Sequence, residues 1–142
     1  MRPTLLVAES DAELRAIYQR FLSERGYEVD TASDGLDCLE KLRRLNPAAL
    51  VLDLELRWGG GDGVLAWLRE DGIRFGLPVI LTATAGYAQP VADSIQPPVV
   101  EYLPKPFGLT ALLKGVRTAV AKRGREEPFN PNGGPSSEYF IG

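Results

Sequence analysis

The stretch ALVLDL, residues 49–54, is apolar at every position except Asp53. A short run without polar alternation suits a strand covered on both faces, which is the central, parallel kind. Asp53 then stands at the carboxyl edge, where open parallel sheets bind their ligands. TLLVA (4–8) and PVILTA (78–83) have the same apolar character. YEVDTA (27–32) alternates, and VVEYL (99–103) supplies a fifth short run.

Helical spacing separates these runs. Leu14, Ile17, Tyr18, Phe21 and Leu22 share one face of a first helix that stops near Gly26. SDG (33–35) opens a second helix with Leu36, Leu39 and Leu42 inward, broken at Asn46-Pro47. A third runs from about Asp62 to Glu70 with Val64, Leu65 and Leu68 inward. Residues 84–98 admit a short helix with Val91, Ala92 and Ile95 inward, limited by Pro90, Pro97 and Pro98. A last helix spans about Leu109 to Lys122, with Leu112, Leu113, Val116 and Val120 inward. Strand and helix alternating five times predict an α/β fold: a parallel sheet, right-handed crossovers, helices on both faces. Residues 1–123 form this domain. Residues 124–142, rich in Pro, Gly, Asn and Ser, read as a disordered tail. Its apolar tip EYFIG (138–142) reads as incidental packing ahead of a docking peptide.

Composition narrows the function. The 142 residues are 44% hydrophobic and 25% charged, in the range of one soluble globular domain. A net charge of −3 argues against unaided nucleic-acid binding. The absence of histidine excludes histidine acid–base and zinc chemistry, and the single Cys38 excludes an internal disulfide or thiolate cluster. Cys38 reads as a small buried helix residue. No apolar run is long enough to span a membrane, and the N-terminus does not read as a signal peptide, so a cytoplasmic protein is expected.

Parallel strands would bring four places in the chain to one edge: Glu9-Ser10-Asp11, Asp53, Thr82 and Lys105. Taken singly, these could be a strand end, a hydroxyl bonded to backbone and a solvated loop lysine. Together they suit phosphoryl chemistry. Carboxylates hold a divalent metal, an ammonium and a hydroxyl meet phosphoryl oxygens, and Asp53 can accept the group as an aspartyl-phosphate.

Over residues 4 to about 122 the chain resembles the receiver domains of bacterial two-component response regulators. The resemblance rests on LLVAESD, GYEVDTASDG, PAALVLDLEL, LPVILTA and EYLPKPF. It implies a five-stranded flavodoxin-like sheet in the order 2-1-3-4-5. It implies Asp53 as phosphoacceptor, Glu9 as the first acid of a Mg2+ pair, and the backbone carbonyl of Glu55 as a further metal ligand. Thr82 becomes the switch hydroxyl, Lys105 the lysine paired with the phosphoryl group, and Tyr102 the aromatic that changes rotamer. The implied donor is a sensor histidine kinase or phosphotransfer protein. Output goes to an unidentified protein, with no membrane insertion, from a monomer or weak homodimer. Such a domain assists its own phosphorylation and dephosphorylation but is a switch, not a metabolic enzyme.

Three departures stand out. Ser10 occupies the second acid's place, a weak neutral ligand that weakens Mg2+ binding. SDAE (10–13) also reads as a capping box opening the first helix, with Asp11 the poorest ligand candidate. The loop LELRWGGGDG (54–63) lacks the usual proline and places Arg57 and Trp58 beside the site, Trp58 folding onto the domain's own surface or meeting a partner. SIQPPVV (94–100) replaces the usual glycine-alanine pair before the last strand. The competing readings are a phosphorylation-independent receiver acting as a constitutive protein-binding module and, well behind, an aspartate-based phosphatase using Glu55.

Overall fold

β3 (Ala49–Asp53) lies at the centre of a five-stranded parallel sheet, and all five of its residues are buried. The computed structural model describes residues 2–71, 76–84 and 95–125. The other strands are β1 (Thr4–Ala8), β2 (Glu28–Ala32), β4 (Val79–Thr84) and β5 (Val99–Lys105). The described helices are α1 (Ala12–Ser23), α2 (Gly35–Arg44), α3 (Gly60–Asp71) and α4 (Leu109–Arg125). The strand order is β2-β1-β3-β4-β5, as the resemblance implies.

Alternate residues of the central strands feed two cores. Leu6, Leu50, Leu52 and Leu81 pack with Cys38 and Leu42 of α2 and with Val64, Leu65 and Leu68 of α3. Leu5, Val7, Val51 and Ile80 pack on the other face with Tyr18 and Leu22 of α1 and with Leu112, Val116 and Ala119 of α4. Buried on both sides, β1, β3 and β4 have no solvent face to mark with polar residues, which explains their unbroken apolar runs.

Some inward assignments are corrected. The stripe of α1 centres on Tyr18, between Leu14, Phe21 and Leu22, and Ile17 falls beyond its edge, 47% exposed. In α2 the buried stripe is Gly35, Cys38 and Leu42, which turns Leu36 outward to 64% exposure. Gly35 sets that rotation. Its amide donates to the Arg57 carbonyl at 2.8 Å, and a Cβ there would come 2.4 Å from the Trp58 carbonyl oxygen. Ile95 is 44% exposed rather than inward. Pro90, Val91, Ala92 and EYFIG lie outside the described residues.

The glycine-rich loop lets α3 start at Gly60, two residues before the expected Asp62. A Cβ on Gly61 would lie 2.5 Å from the Leu54 Cα and 2.7 Å from the Asp53 carbonyl oxygen. Both obstacles are backbone, so Gly61→Ala must shift the end of β3 or the start of α3. We expect it to lower unfolding free energy by about 1–3 kcal/mol, the range for overpacking. Urea titration checks this, and an unchanged midpoint would show that the loop yields freely.

Candidate functional site

The carboxyl edge gathers side chains from four strand ends. Asp53 closes β3 directly beside Thr82 of β4, its register partner. Glu9 and Ser10 follow β1, and Lys105 closes β5, two residues later than the strand end expected at Leu103. Asp53, Glu9 and Thr82 are almost wholly buried. A buried acid requires donors or a cation, and these are present. Asp53 Oδ2 accepts from the Ser10 hydroxyl at 2.8 Å and the Ser10 amide at 3.2 Å, while Oδ1 accepts from the Glu55 amide at 3.0 Å. Lys105 Nζ lies 3.4 Å from Asp53 Oδ2 and 3.0 Å from Glu9 Oε1, and donates to Glu9 Oε2 at 3.2 Å. Glu9 Oε2 also accepts from the Asp11 amide at 2.9 Å, and Arg15 fixes the Glu9 carbonyl at 2.8 Å.

These contacts divide the two acids electrostatically. Burial raises the Glu9 carboxyl, Asp53 adds to the rise, and the Asp11 amide and Lys105 only partly oppose it, so Glu9 lies above its ordinary value. Burial also pushes Asp53 upward. There the Glu55 amide, the Ser10 hydroxyl, Lys105 and the Ser10 amide prevail, holding Asp53 below its ordinary value. Burial pulls Lys105 down, but its bond to Glu9 and the Asp53 charge outweigh it, so Lys105 lies above its ordinary value. Asp53 is thus kept ionised beside a firmly protonated ammonium, the condition a carboxylate nucleophile needs.

The capping-box expectation for Ser10 is corrected. Asp11 is the N-cap of α1, and its Oδ1 accepts from the Glu13 and Leu14 amides at 2.9 and 3.0 Å. The aspartate one residue later takes the capping role, and Ser10 is left to face Asp53.

The remaining candidates divide into the site and its rim. Thr82 Oγ1 is buried without a hydrogen-bond partner, a poised hydroxyl rather than one bonded to backbone. Tyr102 is half-buried against the core beneath α2 and α3. Arg57 is exposed. Trp58 is 68% exposed and held at φ 52, so it stands out from the surface rather than folding down on it. Two features escaped the sequence. Tyr18 stacks on Phe107 at 5.6 Å, bracing the segment that follows Lys105. The Glu55 side chain accepts from Thr84, through Oε2 from the amide at 2.5 Å and through Oε1 from the hydroxyl at 3.0 Å. Neither pair has a sequence spacing that announces contact.

The donor set suits a hard dication. Glu9 Oε1 is buried and, although close to Lys105, receives no aligned hydrogen bond. It is an oxygen donor left over beside Asp53. Magnesium is commonly held by one or two carboxylates and waters. Glu9 and Asp53 supply two such carboxylates, while Ser10 spends its hydroxyl as a donor to Asp53. Among the described residues no group of three or more acid, histidine or cysteine ligands occurs, so the site carries two carboxylates where three acids would bind more tightly.

A family model described as the response regulator receiver domain matches residues 5–117. The chain belongs to this family. Among its relatives is response regulator MprA of Mycobacterium leprae, 36% identical over 119 residues that make up 83% of this chain and 51% of that protein. MprA of Mycobacterium ulcerans is 35% identical over 128 residues, 89% of this chain and 54% of that one. The chain therefore spans about half the length of the curated relatives it matches. Among solved structures, the signal receiver domain of a putative Luxo repressor protein from Vibrio parahaemolyticus superposes with a TM-score of 0.80 at 25% identity, covering 89% of this chain and 95% of that one. A CheY-like receiver from Methanospirillum hungatei gives 0.81 at 19% identity, covering 89% of this chain and 100% of that one, a likeness of fold alone. The receiver is a phosphoacceptor signalling module of two-component systems. Among the described residues no helix is long and apolar enough to cross a membrane.

Proposed function

We propose that Asp53 of this receiver accepts a phosphoryl group from a phosphohistidine on a sensor kinase or phosphotransfer protein. The observation that carries the reading is one buried cluster: Asp53 kept ionised, Lys105 Nζ 3.4 Å from its Oδ2, and the unpartnered Thr82 hydroxyl in register beside it. A carboxylate oxygen of Asp53 attacks phosphorus, the P–N bond breaks as the P–O bond forms, and the imidazole departs. Lys105 balances charge on the transferring group. Glu9, Asp53 and the Glu55 carbonyl are the residues that would hold Mg2+, whose chemistry is to neutralise phosphoryl oxygens. Thr82 turns its free hydroxyl to the new oxygens, Tyr102 moves into the space behind it, and the altered surface meets a downstream protein. Water attacking the same phosphorus returns Asp53 and inorganic phosphate, so the domain assists its own resetting. The setting is the cytoplasm, and the chain acts as a monomer or weak homodimer.

Incubation with acetyl phosphate and Mg2+ tests this. Intact mass should rise by one phosphoryl group, and Asp53→Asn should abolish the rise. No gain at high Mg2+, or an undiminished gain in the variant, would contradict it.

A further inference from the structure

We propose that the Glu55 carboxylate is a latch that holds the end of β4 in the arrangement the switch must leave. The proposal rests on the phosphoacceptor reading above and assigns Glu55 and Thr84 as positioning residues. Thr84 is the last residue of β4, two after Thr82, and its register partner is Lys105, the last residue of β5. The carboxylate of Glu55 accepts both the amide and the hydroxyl of Thr84. Hydrogen bonds to a charged acceptor are roughly twice as strong as neutral ones, and a double acceptance fixes orientation as well. Glu55 is itself anchored, since its amide donates to Asp53 Oδ1 at 3.0 Å. One residue thus links the acid of β3 to the strand ends that carry the switch hydroxyl and the ammonium.

In this proposal the contact belongs to the resting state. Thr82 Oγ1 has no partner while the latch is closed. On the same proposal the end of β4 shifts as that hydroxyl turns to a group on Asp53, the register partner of Thr82. Thr82 is held by its carbonyl, which accepts from the Leu54 amide at 2.8 Å, and Thr84 by Glu55. A phosphoryl group on Asp53 would add bulk and charge where the Glu55 amide now donates to Oδ1, which disturbs the anchor of the latch. A contact present in one state only shifts the equilibrium against the other by its own free energy.

The test is a double-variant cycle read by affinity for beryllium fluoride, a phosphoryl mimic, in the presence of Mg2+. Tryptophan fluorescence reports binding, because Trp58 stands exposed on the loop after Asp53. Thr84→Val removes the hydroxyl bond without changing charge and should raise affinity two- to fivefold. Glu55→Ala should raise it further, and the gain from Thr84→Val should vanish in the Glu55→Ala background. If Thr84→Val leaves affinity unchanged or lowers it, or if the two gains multiply independently, the latch is wrong. A purely structural role would lower the unfolding midpoint without moving mimic affinity, which also overturns it. If the unsubstituted protein takes up neither the mimic nor a phosphoryl group, the phosphoacceptor reading itself fails, and the two failures are told apart.

Discussion

Lys105→Met is expected to destabilise the domain by about 3 kcal/mol at neutral pH, the lower end of the range for removing one partner of a buried ion pair. It is expected to slow phosphoryl acceptance by about 100-fold, the scale for losing one oxyanion-stabilising donor. Lys105 Nζ is the cation within 3.4 Å of both Glu9 and Asp53, whose side chains are 1% and 0% exposed. Removing it strands two carboxylates that burial already disfavours. The folded-state pKa of Lys105 is raised, so its stabilisation is fully present below the ordinary value of 10.5 and is lost as pH rises through the folded value. The stability gap between protein and variant should therefore close in strong alkali. Glu9 is also raised, so its protonated form favours folding. That contribution is present below its ordinary 4.5 and lost as pH rises through the folded value. Adding Glu9→Gln to Lys105→Met should accordingly recover part of the stability at neutral pH without recovering the acceptance rate. Urea titrations across pH, beside mass-resolved phosphorylation kinetics, separate the two effects. Equal recovery of both would show Lys105 to be structural only.

Ser10→Asp is expected to tighten Mg2+ binding about tenfold, equivalent to about 1.4 kcal/mol. It should also destabilise the metal-free domain by about 1.5–3 kcal/mol, the scale of a lost hydrogen bond to a charged group. The present Ser10 hydroxyl donates to Asp53 Oδ2 at 2.8 Å. An aspartate would remove that donor and bring a third carboxylate to a pocket whose close cation is Lys105. The same charge that harms the empty site supplies a ligand to the filled one. The rise in unfolding temperature on adding Mg2+ should thus be larger in the variant, because a tighter ligand stabilises the folded state more. Calorimetric titration gives the affinity directly, and an unchanged value would show that Ser10 does not limit metal binding.

The sheet was legible because β1, β3 and β4 are buried on both faces and so carry no polar interruption. Once the strands are parallel, Asp53, Thr82 and Lys105 must meet at one edge however far apart they lie in sequence, and Glu9 with them. The misread positions lie where periodicity is blind. Leu14, Ile17 and Phe21 are equally apolar, and only the packing of α1 around Tyr18 decides that Ile17 faces water. Leu36 is turned out by the backbone contact of Gly35 with the loop at Arg57 and Trp58, which no hydrophobic pattern records. Ser10 and Asp11 are both good caps, and the choice between them depends on Asp53, 43 residues away, which claims the serine. The Glu55–Thr84 bonds join two loop-proximal residues 29 positions apart, and their reach follows from strand register rather than from any motif.

The most direct measurement is chemical trapping of the acyl phosphate. Treat the protein with acetyl phosphate and Mg2+, reduce it with borohydride, and map the peptides by mass. Reduction of an aspartyl phosphate leaves homoserine. The result expected is homoserine at position 53, absent when the phosphodonor is omitted. Reduction at Glu9, at Glu55 or at neither of these nor Asp53 would contradict the assignment of Asp53 as the phosphoacceptor.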